Sequence, residues 1–282
     1  MGRAWSAEGK IVLVTGGSSG IGLAAARLLS AGGAHVWLLA RTEDRLNRAL
    51  AEVQACSRAS GQRFGAIPAD VSDEQQVREA ITRVSAAVGL PDLVINSAGI
   101  TYPGYVQDLE LSIFRSMMEV NYFGTVYVTK AVLPGMLLRG SGYIVNIASL
   151  AGLIGVFGYT AYGASKFAVR GFTDALRAEV KPFGIGVSIV YPPDTDTPQL
   201  AYENQFKPAE TKALSSMNSV LPPETVAKAI LDGVARRRYV ILPGFESKLT
   251  YWLVSIAGTL TYPAVDWLIA RAQREMRVKE PV

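Results

Sequence analysis

Residues 11–40 read IVLVTGGSSGIGLAAARLLSAGGAHVWLLA. The apolar run at 11–14 passes directly into a turn of glycine and serine, then into a stretch of helical composition, then into a second apolar run at 36–39. Strands covered on both faces read as near-continuous apolar runs, and a helix between two of them is the signature of a βαβ unit. The same alternation continues outward. It predicts helices over 45–59, 74–88, 112–139, 161–181 and 224–236, and strands over 64–69, 92–95, 142–147, 186–190 and 239–242. Strands alternating with helices of this length call for one parallel sheet covered on both faces, an α/β fold of the doubly wound, Rossmann type. The alternation ends near residue 243, so we expect a single catalytic domain over 1–245 and an apolar helical appendage over 246–282.

Composition narrows the possible functions. The chain has 282 residues, 49% hydrophobic and 18% charged, against about 25% charged in an average globular protein. That excludes disorder and leaves ample apolar surface for a large core. The net charge of +4 is too small for a nucleic-acid partner, and the basic excess lies in the last 55 residues, with nine basic and five acidic side chains from Lys228 onward. A lone Cys56 excludes an intrachain disulfide and a cysteine-based zinc site, and its expected role is helix packing. The lone His35 has no partner cluster for a metal and is expected to be structural. The first residues, MGRAWSAEGK, show no charged leader followed by an apolar segment, so a cytoplasmic location is expected.

The turn TGGSSGIG at 15–22 places glycines at 16, 17, 20 and 22. This is G-x-x-x-G-x-G spacing and not the G-x-G-x-x-G of the dinucleotide fingerprint, but the physics is shared. Glycines let the backbone approach a pyrophosphate, whose charge is met by N–H groups at the N-terminus of the next helix. Gly16, Ser18, Ser19, Gly20, Ile21 and Gly22 are therefore expected to bind a dinucleotide. An NAD site usually carries an acidic residue at the end of the second strand, for the ribose 2′-hydroxyl. Here that strand ends in Arg41, with Arg45 one helical turn on, a pair suited to the 2′-phosphate of NADP and helped by the Ser18 hydroxyl. NADPH/NADP+ is the expected cofactor.

Ser149, Tyr162 and Lys166 form the candidate catalytic set. A Y-x-x-x-K pair alone is expected by chance roughly 0.4 times in this composition, and requiring a serine 13 residues upstream lowers that to roughly 0.03. On a helix Tyr162 and Lys166 share one face. The ammonium is expected to lower the phenol from its usual pKa of about 10, making Tyr162 a general acid for carbonyl reduction. Ser149, at the end of the preceding strand, would donate to the developing alkoxide.

With TGGSSGIG, Asp70-Val71, NSAG at 96–99, Asn121, Ser149 and YGASK at 162–166, the chain resembles the short-chain dehydrogenase/reductase family over nearly its whole length. The resemblance implies that Asp70 and Val71 hold the adenine. It places Asn96, Ala98 and Gly99 by the sheet and the ribose, and Lys166 on the nicotinamide ribose. Asn121 would position a water that relays protons to Lys166. Pro192, Thr195 and Thr197 would face the nicotinamide side. Pro192-Pro193 stands where Pro-Gly is usual, which stiffens that loop and removes one N–H, and Ser97 stands where a second Asn is common. Segments at 155–171, 179–198 and 203–216 are most similar to the branch that acts on 3-ketodihydrosphingosine. That implies NADPH-dependent reduction of its 3-keto group to give sphinganine. Another hydrophobic ketone, of 3-oxoacyl or steroid type, and a non-catalytic cofactor-binding membrane scaffold are the alternatives. The segment 194–222 is expected as a loop folding over the substrate.

The appendage contains LTYWLVSIAGTLTYPAVDWLIA at 249–270, with Asp266 its only charge. Pro263 divides it, and 249–262 would span only about 21 Å as a helix, short of a hydrocarbon core of about 30 Å. Beyond the proline, Val265, Leu268, Ile269, Ala272 and Met276 recur at helical spacing opposite Asp266, Gln273, Arg274 and Arg277. Such a stripe suits either a membrane interface, through 249–277 on the cytosolic face, or packing on the domain or a second subunit. The helices at 112–139 and 161–181 are apolar enough to pair between subunits, so a homodimer or tetramer is expected.

Overall fold

The computed structural model describes residues 6–215 and 219–279. Among them, seven parallel strands lie in the order β3-β2-β1-β4-β5-β6-β7. They are β1 Ile11–Thr15, β2 His35–Ala40, β3 Phe64–Pro68, β4 Leu93–Asn96, β5 Gly142–Ile147, β6 Ile185–Val190 and the short β7 Val240–Ile241. The helices that connect them are α1 Gly20–Ala31, α2 Glu43–Ala55, α3 Glu74–Val88, α4 Leu111–Met117, α5 Gly124–Arg139, α6 Thr160–Val180, α7 Pro198–Glu203, α8 Ala209–Ser215 and α9 Pro223–Ala235. Two more, α10 Gly244–Ala257 and α11 Thr261–Lys279, form the C-terminal part.

The twofold period of a strand sorts its side chains into two cores. On β1, Val12 and Val14 join α1, α2 and α9 in one, and Leu13 joins α3, α5 and α6 in the other. All three are fully buried, each contributing roughly 2 kcal/mol. The chain returns to the middle of the sheet between β1 and β4, and the ends of strands that run outward from that point leave a crevice at their carboxyl edge. The doubly wound, single-domain expectation is met.

Three local expectations change. The helix expected over 45–59 ends at Ala55, because Gln62 gathers the following loop: its Oε1 accepts from the N–H groups of Arg58 and Ala59 and the hydroxyl of Ser57. The run over 112–139 is helical but not uniform. Residues Met118–Phe123 take π-helical geometry between α4 and α5, and Asn121 lies in that segment. Such bulges rotate one side chain out of the regular helical register. The segment 194–222 is no open loop: it folds α7 and α8, with Pro198 in the first turn of α7 and the Thr197 hydroxyl accepting from Leu200 N–H. Residues 216–218 of that segment lie outside the described residues.

His35 Nδ1 accepts from Arg63 N–H at 2.9 Å, the structural role expected of it. In the C-terminal part the break falls at Gly258, whose φ of 52° is open to glycine, and Pro263 sits harmlessly in the first turn of α11. Val265, Leu268 and Ile269 are half-buried, and α11 packs on α8. The expected apolar stripe therefore turns toward the domain. The exposed apolar side chains are others: Phe245, Trp252, Leu253 and Ile256 of α10, then Leu260, Tyr262 and Trp267. The side chains of Ala272, Met276 and Arg277, also expected in the amphipathic pattern, lie outside the described residues.

Candidate active site

A cavity of about 920 Å³ opens at the carboxyl edge of the sheet. At one end it is lined by Gly16, Ser18, Ser19, Gly20 and Ile21 from the first turn, and by Arg41 and Arg45 from the start of α2. Asp70, Val71, Ala98 and Gly99 continue the wall, and Ser149, Tyr162, Lys166, Pro192, Thr195 and Thr197 close it. Ile113, Met117, Val120, Leu150, Val156 and Leu214 make the far part apolar.

The glycine turn has the shape a dinucleotide requires. Gly16 has φ 63°, and a Cβ there would stand 2.8 Å from the Ala98 backbone, so the two loops can meet only if residue 16 has no side chain. The Ser19 side chain makes no capping bond, which leaves the first N–H groups of α1 to a ligand. Arg41 is 61% exposed at the side chain and stands 3.9 Å from Asp70 Oδ2, whose Oδ1 is bound by the N–H and hydroxyl of Ser72. A cationic end, a glycine cradle and a free helix terminus fit a nicotinamide dinucleotide.

Three expected residues do not line the cavity. Gly22 lies where α1 crosses the first turn, and a Cβ there would fall 2.5 Å from the Gly16 carbonyl. Asn96 is buried in the sheet, where its Nδ2 donates to Asn146 Oδ1 at 2.9 Å. Asn121 is buried and its amide is committed to protein: Oδ1 accepts from Ile100 N–H at 2.8 Å, and Nδ2 donates to Ile100 O and Ser165 Oγ. All three support the cavity from behind. The hydroxyls of Thr195 and Thr197 are likewise held in local turns, by Pro193 O and by Leu200 N–H.

Tyr162 and Lys166 sit one turn apart on α6, as their spacing requires, but their electrostatics differ from the sequence expectation. The Lys166 ammonium donates to Ile147 O at 3.0 Å and lies 5.6 Å from the centre of the Tyr162 ring. Burial lowers its pKa to about 8. Burial pushes the Tyr162 phenol up instead of letting it fall; a hydrogen bond with Ser149 opposes this, and the Glu203 and Asp194 carboxylates add to it. The phenol is thus held firmly in its protonated form. Ser149 also accepts from Ala151 N–H at 3.2 Å, which fixes the turn after β5.

Several site residues escape sequence reasoning. Thr15, buried at the end of β1, accepts from the N–H groups of Ser97 and Ala98 and so ties the two central strand ends together. Ser165 donates to Tyr162 O and receives Asn121. Both stand inside quoted motifs, so their presence was a signal even though their partners were not. Tyr159, Glu203 and Lys207 carried no local signal: they meet only because α7 folds back over α6.

The short chain dehydrogenase family model matches residues 10–208. The 3-ketodihydrosphingosine reductase of Bos taurus is 46% identical over 82% of this chain and 70% of its own length. The 3-dehydrosphinganine reductase of Danio rerio is 45% identical, with the same coverage of 82% and 70%. Among solved structures, a short chain dehydrogenase/reductase from Burkholderia phymatum in complex with NAD superposes with a TM-score of 0.79. It is 26% identical, over 91% of this chain and 96% of that one.

Proposed function

The chain belongs to the short chain dehydrogenase family, and on that premise we propose that it reduces the 3-keto group of 3-ketodihydrosphingosine to the alcohol of sphinganine, using NADPH. It is an oxidoreductase acting on a CH–OH group, and the finer assignment draws support from the Bos taurus and Danio rerio relatives. The observation that carries the reading is the meeting of Ser149, Tyr162 and Lys166 at the wall of the same cavity that the Gly16 turn and Arg41 line, with Lys166 5.6 Å from the centre of the Tyr162 ring.

A nicotinamide dinucleotide, when bound, would supply the hydride for the carbonyl carbon. The first turn of α1 and the Gly16 loop would hold its pyrophosphate, and Arg41 and Arg45, which line the same cavity, would meet the 2′-phosphate. Tyr162 gives its phenolic proton to the ketone oxygen as negative charge develops there. Ser149, on the same wall, would donate to that oxygen and orient it. Lys166, held by Ile147 O, keeps a positive charge beneath the ring, and so stabilises the phenolate left after proton transfer. Asn121 works at one remove, by fixing Ile100 and Ser165 around Lys166.

A lipid substrate must be drawn from a bilayer, and the exposed apolar side chains of α10 and the start of α11 offer a surface for it. Trp252, Leu253, Ile256, Leu260, Tyr262 and Trp267 are each more than half exposed. Gly244–Arg271 is by length and composition apolar enough to cross a membrane, and its break at Gly258 suits a segment seated in one leaflet, which this reading takes as that of the cytosolic face. A homodimer or tetramer through α4, α5 and α6 is part of the same reading.

The test is product identification by mass spectrometry after incubation with NADPH and a panel of ketones. Formation of sphinganine from 3-ketodihydrosphingosine is expected. Turnover of short 3-oxoacyl esters in its place would refute the substrate, and no turnover of any ketone would refute the chemistry.

A further inference from the structure

The wall of the cavity beside Tyr162 carries a partly buried charge cluster that hydride and proton transfer do not need. Glu203, at the end of α7, is 6% exposed. Its Oε1 accepts from the Tyr159 hydroxyl at 2.9 Å and stands 3.1 Å from the Lys207 ammonium. Lys207, 2% exposed at the side chain, also reaches Asp194 Oδ2 at 3.4 Å. The Tyr159 ring lies tilted beside that of Tyr162, with ring centres 5.7 Å apart. Asp194, Tyr159 and Glu203 all line the cavity, whereas Lys207 stands behind them.

Two features mark this cluster as incomplete. It sets two carboxylates against one ammonium, with Glu203 buried, where desolvation raises its pKa, and Asp194 half-buried at the cavity wall, so the pair has room for a second cation. Both partners of Glu203 also converge on Oε1, which leaves Oε2 without a donor among the described residues. A second, independent feature stands on the same cavity: the Thr101 hydroxyl, in a residue only 3% exposed, has no hydrogen-bond partner among the described residues. A cavity that holds two carboxylates beside Tyr159 and Tyr162 and an unused hydroxyl elsewhere on its wall matches a ligand that carries a cation and an alcohol close to its ketone.

We propose that Glu203 and Asp194 form the recognition site for an ammonium group on the carbon beside the substrate ketone, with Thr101 facing the adjoining hydroxyl. The inference rests on the amino-ketone reading above and adds to it the direction in which the substrate lies: its polar head toward α7, and its chain toward Ile113, Met117 and Val120. Lys207 positions the two carboxylates and neutralises one charge, so that a single cation completes the cluster. Glu203 and Asp194 are then the residues that select an amino ketone from other hydrophobic ketones.

The experiment compares kcat/KM for 3-ketodihydrosphingosine with that for 1-hydroxyoctadecan-3-one, which lacks only the amine. In the unmodified enzyme the ratio is expected to favour the amino ketone by about tenfold or more, because a site built for a polar group rejects the analogue without it. Glu203→Gln should bring that ratio down about tenfold. A Glu203→Gln variant that slows both ketones equally would make Glu203 a fastening of α7 only, and would overturn the proposal. Should that variant melt early, Asp194→Asn reads the same ratio at a more exposed position, and an unchanged ratio there is equally fatal. The parent reading fails separately: an unmodified enzyme that reduces neither ketone refutes both, while one that reduces both equally well keeps the amino-ketone reading and refutes the ammonium site.

Discussion

The Lys166 ammonium lies 5.6 Å from the centre of the Tyr162 ring and gives its hydrogen bond to Ile147 O, not to the phenol. The pair therefore acts through charge and position. Lys166 is buried and Tyr162 half-buried, and desolvation disfavours the charged form of each: the phenol is kept protonated and the ammonium loses its proton more readily than in water. In the direction of reduction this is a useful arrangement. The acid starts with its proton, and the cation is present below about pH 8 to receive the phenolate that proton transfer leaves behind.

Tyr162→Phe removes the proton and little volume. We expect NADPH binding, followed by fluorescence titration, to remain within a few-fold of the unmodified protein, and reduction to fall at least 10²-fold. A variant that retains its rate would show that another group supplies the proton.

Lys166 gives a pH dependence with a definite sign. Its pKa falls from 10.5 in the unfolded chain to about 8 in the fold, so the unfolded chain binds more protons between those values and stability rises with pH across that window. Lys166→Met removes the buried charge. Its melting temperature should exceed that of the cofactor-free parent below pH 8, and the gap should close by about pH 10.5. A gap that does not change with pH would mean the ammonium is not desolvated. The same titration predicts that ketone reduction by the parent declines above about pH 8, as read from a kcat/KM profile.

Arg41→Asp should reverse cofactor preference. Placing a carboxylate where the 2′-phosphate is received adds repulsion to the loss of a charge-assisted bond, so NADPH should weaken by about tenfold or more while NADH changes less. Equal weakening of both would remove Arg41 from phosphate recognition.

Asn121→Ala should act on the framework. It leaves the Ile100 N–H and carbonyl without their partner in a half-buried place and takes one of two hydrogen bonds from the Ser165 hydroxyl, a loss of about 1–3 kcal/mol. Denaturant titration would measure this, and a change under 0.5 kcal/mol would mean that water replaces the amide without cost.

Replacing Trp252, Leu253 and Ile256 together by Ser should abolish cosedimentation with anionic lipid vesicles and leave the melting temperature nearly unchanged, since these side chains are each more than half exposed. Undiminished cosedimentation would place lipid contact elsewhere.

Much of this was open to reading along the chain. The apolar runs at 11–14, 36–39 and 142–147 and the helical spans between them are local patterns of period and composition, and they predict the doubly wound sheet. The Gly16 turn, Ser149, Tyr162 and Lys166 were legible for the same reason: each belongs to a short motif whose spacing places it on one strand end or one helix face. What the chain's linear order could not express is how groups far apart in it share one low-dielectric volume. The upward pull on the Tyr162 phenol comes from burial and from the carboxylates of Asp194 and Glu203, which the fold of α7 brings over α6. The half-buried face of α11 was likewise chosen by its packing on α8, against a stripe that composition alone allowed to face a membrane. Periodicity is a property of neighbours along the chain, so sequence determined which elements form and which face of each is apolar. Desolvation and long-range charge depend on every atom within several ångströms, so only the tertiary structure decided what state those side chains hold.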